Sequence, residues 1–304
     1  MLRGRAGRWS WVWGGGMTAS GSPTVRRRRL AGELLRLREA AGLTTDAIAE
    51  RMGWSASKVS RIETSRIGIR PSDLQRLLDV YAVEDPDRRA DLLTLAQQAK
   101  QRGWWQAYGS ALSSSYTVYI GLEAEAAVIS GYEAQLVHGL LQTTEYARAV
   151  TRATRPTDNL DEVERRVAVR SARQALLTRD DPPHLWAVLD EAALRREVGG
   201  AAVMSRQLRH IAEVAEAPNV TVQVLPFSAG AHAGMEGAFA LLQFPGPDPD
   251  VVYVEGKTTG ALLEDPDDVA SYSQSWEYLR AVALGPDEST TLITQLASCI
   301  IRQT

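Results

Sequence analysis

The chain has 304 residues, 44% hydrophobic and 23% charged, with a net charge of −3, which is the make-up of a globular chain long enough for two domains. No apolar run is long enough to cross a bilayer, the single cysteine excludes a disulfide framework or cysteine-rich zinc site, and the four histidines lack metal-ligand spacing. Residues 1–110 carry 19 Lys/Arg against 11 Asp/Glu, a balance of +8, while residues 111–304 carry 15 against 26, a balance of −11, as expected if only the front end sits on phosphate.

In chain order, residues 1–16 (MLRGRAGRWSWVWGGG) are too short in apolar length and too interrupted by glycine for a signal peptide. A second methionine stands at Met17, so residues 1–22 are expected to be a disordered extension or to lie upstream of the true start. Arg26 to Arg29 open a helix that continues through Leu30, Leu34 and Leu37. Such a run is either a solvated face or, beside a DNA-reading unit, a phosphate clamp through Arg27 and Arg28, each neutralised phosphate adding a counterion-release contribution.

Thr44 to Glu63 (TTDAIAERMGWSASKVSRIE) reads as two short amphipathic helices broken at Gly53. Ile48, Ala49 and Met52 form the apolar face of the first, and Val59 and Ile62 that of the second. Thr44 and Ser55 are placed to cap them by accepting backbone N–H groups that the first turns leave unpaired. A helix, a short glycine turn and a helix make a helix-turn-helix, whose second helix enters the major groove with its N-terminal residues at the base edges. Here those are Ala56, Ser57, Lys58 and Arg61, with Ala56 suited to a thymine methyl and the other three to polar contact. Thr45 and Ser55 are candidates for phosphates.

With LRLREAAGLT, the AERMG turn and SKVSRIE in register, Leu30 to Val83 resembles the helix-turn-helix domain of lambda-repressor/Cro-type (xenobiotic-response-element) regulators. The resemblance implies a five-helix fold. It also implies that the loop after the recognition helix runs along the DNA backbone, making Arg66 and Arg70 phosphate candidates. Glu63 is expected to hold the turn rather than touch bases. Pro71 starts a helix bearing Leu74, Leu77 and Leu78, and Pro86 another that ends by Gly103. The DNA-binding domain is thus expected over 23–103, a linker over 104–116, and an α+β domain with a small mixed sheet over 117–304.

In that second part the apolar spacing predicts a helix over Tyr119–Val137, then helices from Thr143 and over Asp161–Thr178. Strands are expected at His184–Leu189, Val220–Leu225, Ala238–Phe244, Val251–Glu255 and Gly260–Leu263, with helices at Glu191–Glu197, Val203–Glu216, Asp267–Ala283 and Pro286–Ile301. Cys299, within the apolar run ASCII, is expected to be buried. His232 and Glu236, four apart in AGAHAGMEG, would be an acid/base or ligand pair if helical, but the flanking glycines argue for a loop, and a pocket mouth or docking surface is the alternative. Asp190 and Glu191 are expected to start a helix. No nucleophile elbow, phosphate loop or HExxH motif appears, so neither catalysis, a metal nor a cofactor is expected.

The segments YEAQLVHGLLQTTEYARA, ERRVAVRSARQALL, WAVLDEAALRREVGG, NVTVQVLPFSAGAHAGMEGAF and VVYVEG together resemble the C-terminal domain of a large actinobacterial regulator family described as antitoxin-like. One departure is Val137-His138-Gly139, where the family reads VPG. The resemblance implies a cytoplasmic transcriptional regulator acting on double-stranded DNA as a homodimer, with a small acidic protein encoded nearby as a further partner. The alternative it leaves open is an interaction protein that sequesters such a partner, with DNA binding only autoregulatory.

Overall fold

The computed structural model describes residues 23–99, 108, 112–246, 248–257 and 260–302; the extension expected over 1–22 and most of the linker expected over 104–116 lie outside the described residues. Five helices come first: α1 (Pro23–Ala40), α2 (Thr45–Met52), α3 (Ala56–Glu63), α4 (Pro71–Val80) and α5 (Pro86–Gln98). Their ends are written in local chemistry. Thr44 Oγ1 accepts from the Ala47 amide and Ser55 Oγ from the Lys58 amide, both at 3.2 Å. Each satisfies a donor that a helix start otherwise leaves unpaired. Gly53 closes α2 at φ +68°, a left-handed conformation that a Cβ would disfavour, and so turns the chain into α3.

Leu34, Ile48, Met52, Val59, Ile62, Leu74, Leu77 and Leu78 bury into one core among these helices. Glu63, on the inner face of α3, accepts from Arg38 Nε at 2.8 Å and from the Tyr81 hydroxyl at 3.4 Å. The charge is buried but paired, and it ties α3 to α1 and to the end of α4. This is the holding role expected of it.

The C-terminal domain is built on a six-stranded mixed sheet of order β3-β2-β1-β4-β5-β6. Its strands are β1 (Val128–Glu133), β2 (His184–Asp190), β3 (Val220–Leu225), β4 (Phe239–Gln243), β5 (Val251–Val254) and β6 (Ala261–Leu263). β1, β2 and β3 pair in parallel, in the register Ile129↔Leu185 and Leu185↔Val220, whereas β4, β5 and β6 are antiparallel. Parallel neighbours need crossovers. α7 (Thr144–Thr154) and α8 (Leu160–Gln174) join β1 to β2, and α9 (Glu191–Arg195) and α10 (Ala201–Val214) join β2 to β3. One face of the sheet (Ile129, Leu185, Leu189, Val222, Leu242, Val251) packs on α6 (Ser114–Glu123), α10 and α12 (Pro286–Arg302). The other (Tyr132, Val188, Leu241, Val252) packs on Trp276 and Leu279 of α11 (Pro266–Val282).

Two expectations are corrected. The single helix expected over Tyr119–Val137 is α6 followed by β1, and α6 begins at Ser114, inside the expected linker. A strand paired on both sides and covered on both faces has apolar residues on each, and here their spacing imitates a helical stripe. Cys299 is exposed, not buried. α12 buries Ile293, Leu296, Ala297 and Ile300, and position 299 falls on the opposite side of that stripe.

Candidate nucleic-acid interface and the cleft beside the sheet

α3 buries Val59, Ile62 and Glu63, which leaves Ser57, Ser60, Arg61 and the capping Thr64 exposed along its outer side. These four fall at helical spacing i, i+3, i+4 and i+7, so they share one stripe. Ser60 and Thr64 complete the face that Ser57 and Arg61 alone outline; the spacing of the buried residues already contained that signal. Ala56 is half-buried against the core. Lys58 Nζ lies 3.6 Å from the Trp54 ring centroid and 3.7 Å from Asp73 Oδ2. Trp54, an aromatic in the turn that sequence inspection passed over, therefore holds that ammonium at the entrance of α3.

Arg61, Arg66 and Arg70 are exposed, and among the described residues none of their side chains makes an ion pair or hydrogen bond. Unpaired cations beside the outer stripe are what phosphates require. Thr45 is half-buried at the first position of α2, and Ser55 is exposed with its hydroxyl engaged as the α3 cap.

The basic run at the start of α1 divides. Arg26 is buried, with Nη1 donating to the Gln98 carbonyl at 3.5 Å. Arg27 is half-buried and Arg29 exposed. Arg28 turns to the C-terminal domain, where Nε lies 3.2 Å from Glu264 Oε1 and the guanidinium 5.8 Å from the Phe244 ring centroid.

A second site lies where β1 and β5 end. Ile129, Gly131 and Glu133 share one face of β1, as Val251, Tyr253 and Glu255 do of β5 and its continuation. Gly131 pairs with Ala240, and Ala240 with Tyr253. Continuing that register by two residues puts Glu133 and Glu255 on either side of Ala238. The small residues between them leave a cleft of about 890 Å³, also lined by Tyr116, Leu136, Arg170 and Glu236.

Beside this cleft a polar network surrounds a smaller cavity of about 80 Å³, lined by Tyr119, His138 and Arg173. Arg173 and Glu123, both buried, form a bidentate pair at 2.8 and 2.5 Å. The same guanidinium donates to the Tyr116 hydroxyl, and the Tyr119 hydroxyl donates to Glu123 at 2.8 Å. Tyr119 stacks on Tyr253 with ring centroids 4.2 Å apart and on Tyr116 at 6.0 Å. His138, 2% exposed, accepts from the Leu140 amide at Nδ1, which assigns its proton to Nε2. That Nε2 lies 4.0 Å from Glu133 Oε1. Gly131 permits this: a Cβ there would come within 3.0 Å of the imidazole. Burial lowers the His138 pKa to about 4. Burial, then the charge of Glu255, pushes Glu133 up to about 8 against the opposing charges of Arg170 and Arg173.

His232 and Glu236 are not brought together. His232 Nδ1 accepts from the Gly234 amide, its Nε2 is 3.7 Å from Asp190 Oδ2, and its ring meets Tyr132 edge-on. Glu236 is exposed at the cleft rim. Asp190 caps α9 as expected, accepting from the Ala192 amide at 2.8 Å, and Glu191 accepts from the Phe227 amide at 2.8 Å. Among the described residues no group of three or more His, Cys, Asp or Glu side chains is placed to hold a metal, and no helix is long and apolar enough to cross a membrane.

Residues 116–295, well over half of the chain, match the family described as a domain of unknown function (DUF5753), and residues 29–92 match a helix-turn-helix domain. No curated protein and no solved structure matches the chain.

Proposed function

The chain belongs to the family described as a domain of unknown function (DUF5753), here preceded by a helix-turn-helix domain, and from that premise we propose that it is a site-specific DNA-binding transcriptional regulator of the xenobiotic-response-element type. The helix-turn-helix match speaks for DNA binding. The observation that carries the finer reading is the outer stripe of α3, Ser57, Ser60 and Arg61, flanked by the unpaired cations Arg66 and Arg70. In this reading Ser57 and Arg61 meet base edges, with Ala56 and Lys58 beside them. Arg66, Arg70 and Arg27, together with Thr45 and Ser55, set the register on phosphates. One such unit makes few base contacts, so two act together as a homodimer on half-sites about one helical turn apart. The acidic C-terminal domain supplies the dimer contact, and its cleft senses a ligand.

Fluorescence anisotropy of the full chain on DNA from its own upstream region and on scrambled DNA, over a salt series, tests this. Arg61→Ala is expected to cost about 1–3 kcal/mol on the specific site and relax preference at one base pair; Arg66→Ala should weaken both DNAs alike and reduce the salt slope by about one. Equal, sequence-blind losses in the two variants would sink this division of labour.

A further inference from the structure

We propose that the inner cavity, with the cleft it adjoins, is a binding site for a small organic carboxylate, whose oxygens accept from His138 Nε2 and the Tyr253 hydroxyl and whose charge is offset by Arg170. The assignment gives a chemical class to the ligand of the sensing role proposed above, on which it rests.

The cavity wall presents donors that nothing in the chain accepts. His138, 2% exposed, carries its proton on Nε2 because Nδ1 accepts from the Leu140 amide, and Glu133 Oε1, at 4.0 Å, is beyond hydrogen-bond reach of it. Tyr253 is 5% exposed, and among the described residues its hydroxyl makes no hydrogen bond. The Tyr116 hydroxyl accepts from Arg173, and its own hydrogen donates to no group among the described residues. All three side chains line the cavity. A buried N–H or O–H without an acceptor costs free energy, so a ligand that brings oxygen lone pairs to these groups is favoured.

The charges select an anion. Arg173 is neutralised by Glu123, and Arg166, farther out in the cleft, by Asp158 at 2.8 Å. At the rim Glu236 and Glu255 stand against Arg155 and Lys257. Arg170, half-buried on α8, donates to the neutral Gln142 Oε1 at 3.1 Å and has no carboxylate in an ion pair. Burial pushes the Glu133 carboxyl up to about 8, so at neutral pH it adds a donor to the wall and not a negative charge. A carboxylate seated there meets one uncompensated guanidinium and several convergent donors, the combination that holds an anion out of water.

Glycines keep these groups bare. A Cβ at Gly260 would fall 2.5 Å from the Tyr253 hydroxyl, and one at Gly139 would fall 3.3 Å from Arg173 Nη1.

Isothermal titration calorimetry of the full chain with phenylacetate tests this, with phenethylamine as the same skeleton bearing the opposite charge and phenylacetamide as its neutral counterpart. Phenylacetate is expected to bind saturably, phenylacetamide about tenfold more weakly or worse, and phenethylamine not at all. Arg170→Gln should weaken phenylacetate about tenfold or more, and Tyr253→Phe about threefold to tenfold. Glu133→Gln keeps a neutral donor in place and should change the affinity by no more than about twofold, where a site for a cation would lose its ligand. Arg206→Gln, at an exposed position of α10, should leave binding unchanged. Melting curves establish that the variants are folded. Absence of saturable phenylacetate binding, equal binding of phenethylamine, or undiminished binding by both Arg170→Gln and Tyr253→Phe would overturn the proposal. No arm contains DNA, so a chain that binds phenylacetate yet ignores DNA sequence would end the regulator reading and leave the carboxylate site standing.

Discussion

Glu133 and His138 lie 4.0 Å apart and are both held neutral by the same desolvation, one as an acid pushed up to about 8 and the other as a base lowered to about 4. Their effects on stability run in opposite directions. The raised acid contributes stability that is present below its unfolded value of 4.5 and is lost as pH rises through about 8. The lowered imidazole contributes stability that is present above 6.5 and is lost as pH falls toward about 4. Glu133→Gln removes the first and leaves the second. The melting temperature of the variant relative to the parent is therefore expected to climb from pH 4.5 to about 8 and then level off; a difference independent of pH would show that the carboxyl is ionised in the folded protein. Sequence could not reveal this pair. Glu133 ends a strand and His138 follows in a loop, and only the glycine at 131 lets the ring close over the strand.

At the scale of elements, what was legible was what is local. Thr44, Gly53 and Ser55 announce the ends of α2 and α3 because each acts on backbone groups within three or four residues. Gly53→Ala puts a Cβ into a left-handed conformation and is expected to cost about 1–2 kcal/mol by chemical denaturation. A cost near zero would mean that the turn relaxes and that its glycine is not what aims α3. β1 was illegible for the complementary reason. Ile120, Leu122, Ala126, Ile129 and Tyr132 are spaced like a helical stripe, and only pairing with β2 and β4, far away in sequence, makes Val128–Glu133 a strand. Val128 and Ile129 are β-branched, and Ser130 and Gly131 are poor helix formers. That signal was present but weaker than the periodicity. The cleft inherits the same obscurity, since its two glutamates meet across a strand that helical periodicity conceals.

For the whole molecule, the basic front and acidic remainder were visible as a charge balance, but the joint between them was not. The run Arg26 to Arg29 read as one face; in the fold its members diverge, and Arg28 spans to Glu264 with only 13% of its side chain exposed. A cation spent on the protein's own acidic part releases no counterions from DNA. Arg28→Ala is accordingly expected to leave the salt slope of DNA binding unchanged, whereas Arg66→Ala lowers it by about one. The measurement is the same anisotropy salt series, with the two variants side by side. Should Arg28→Ala lower the slope as far as Arg66→Ala, Arg28 sits on phosphate when DNA is bound. Its contact with Glu264 then has to open on binding, making that ion pair the link through which the C-terminal domain restrains the DNA-binding helices.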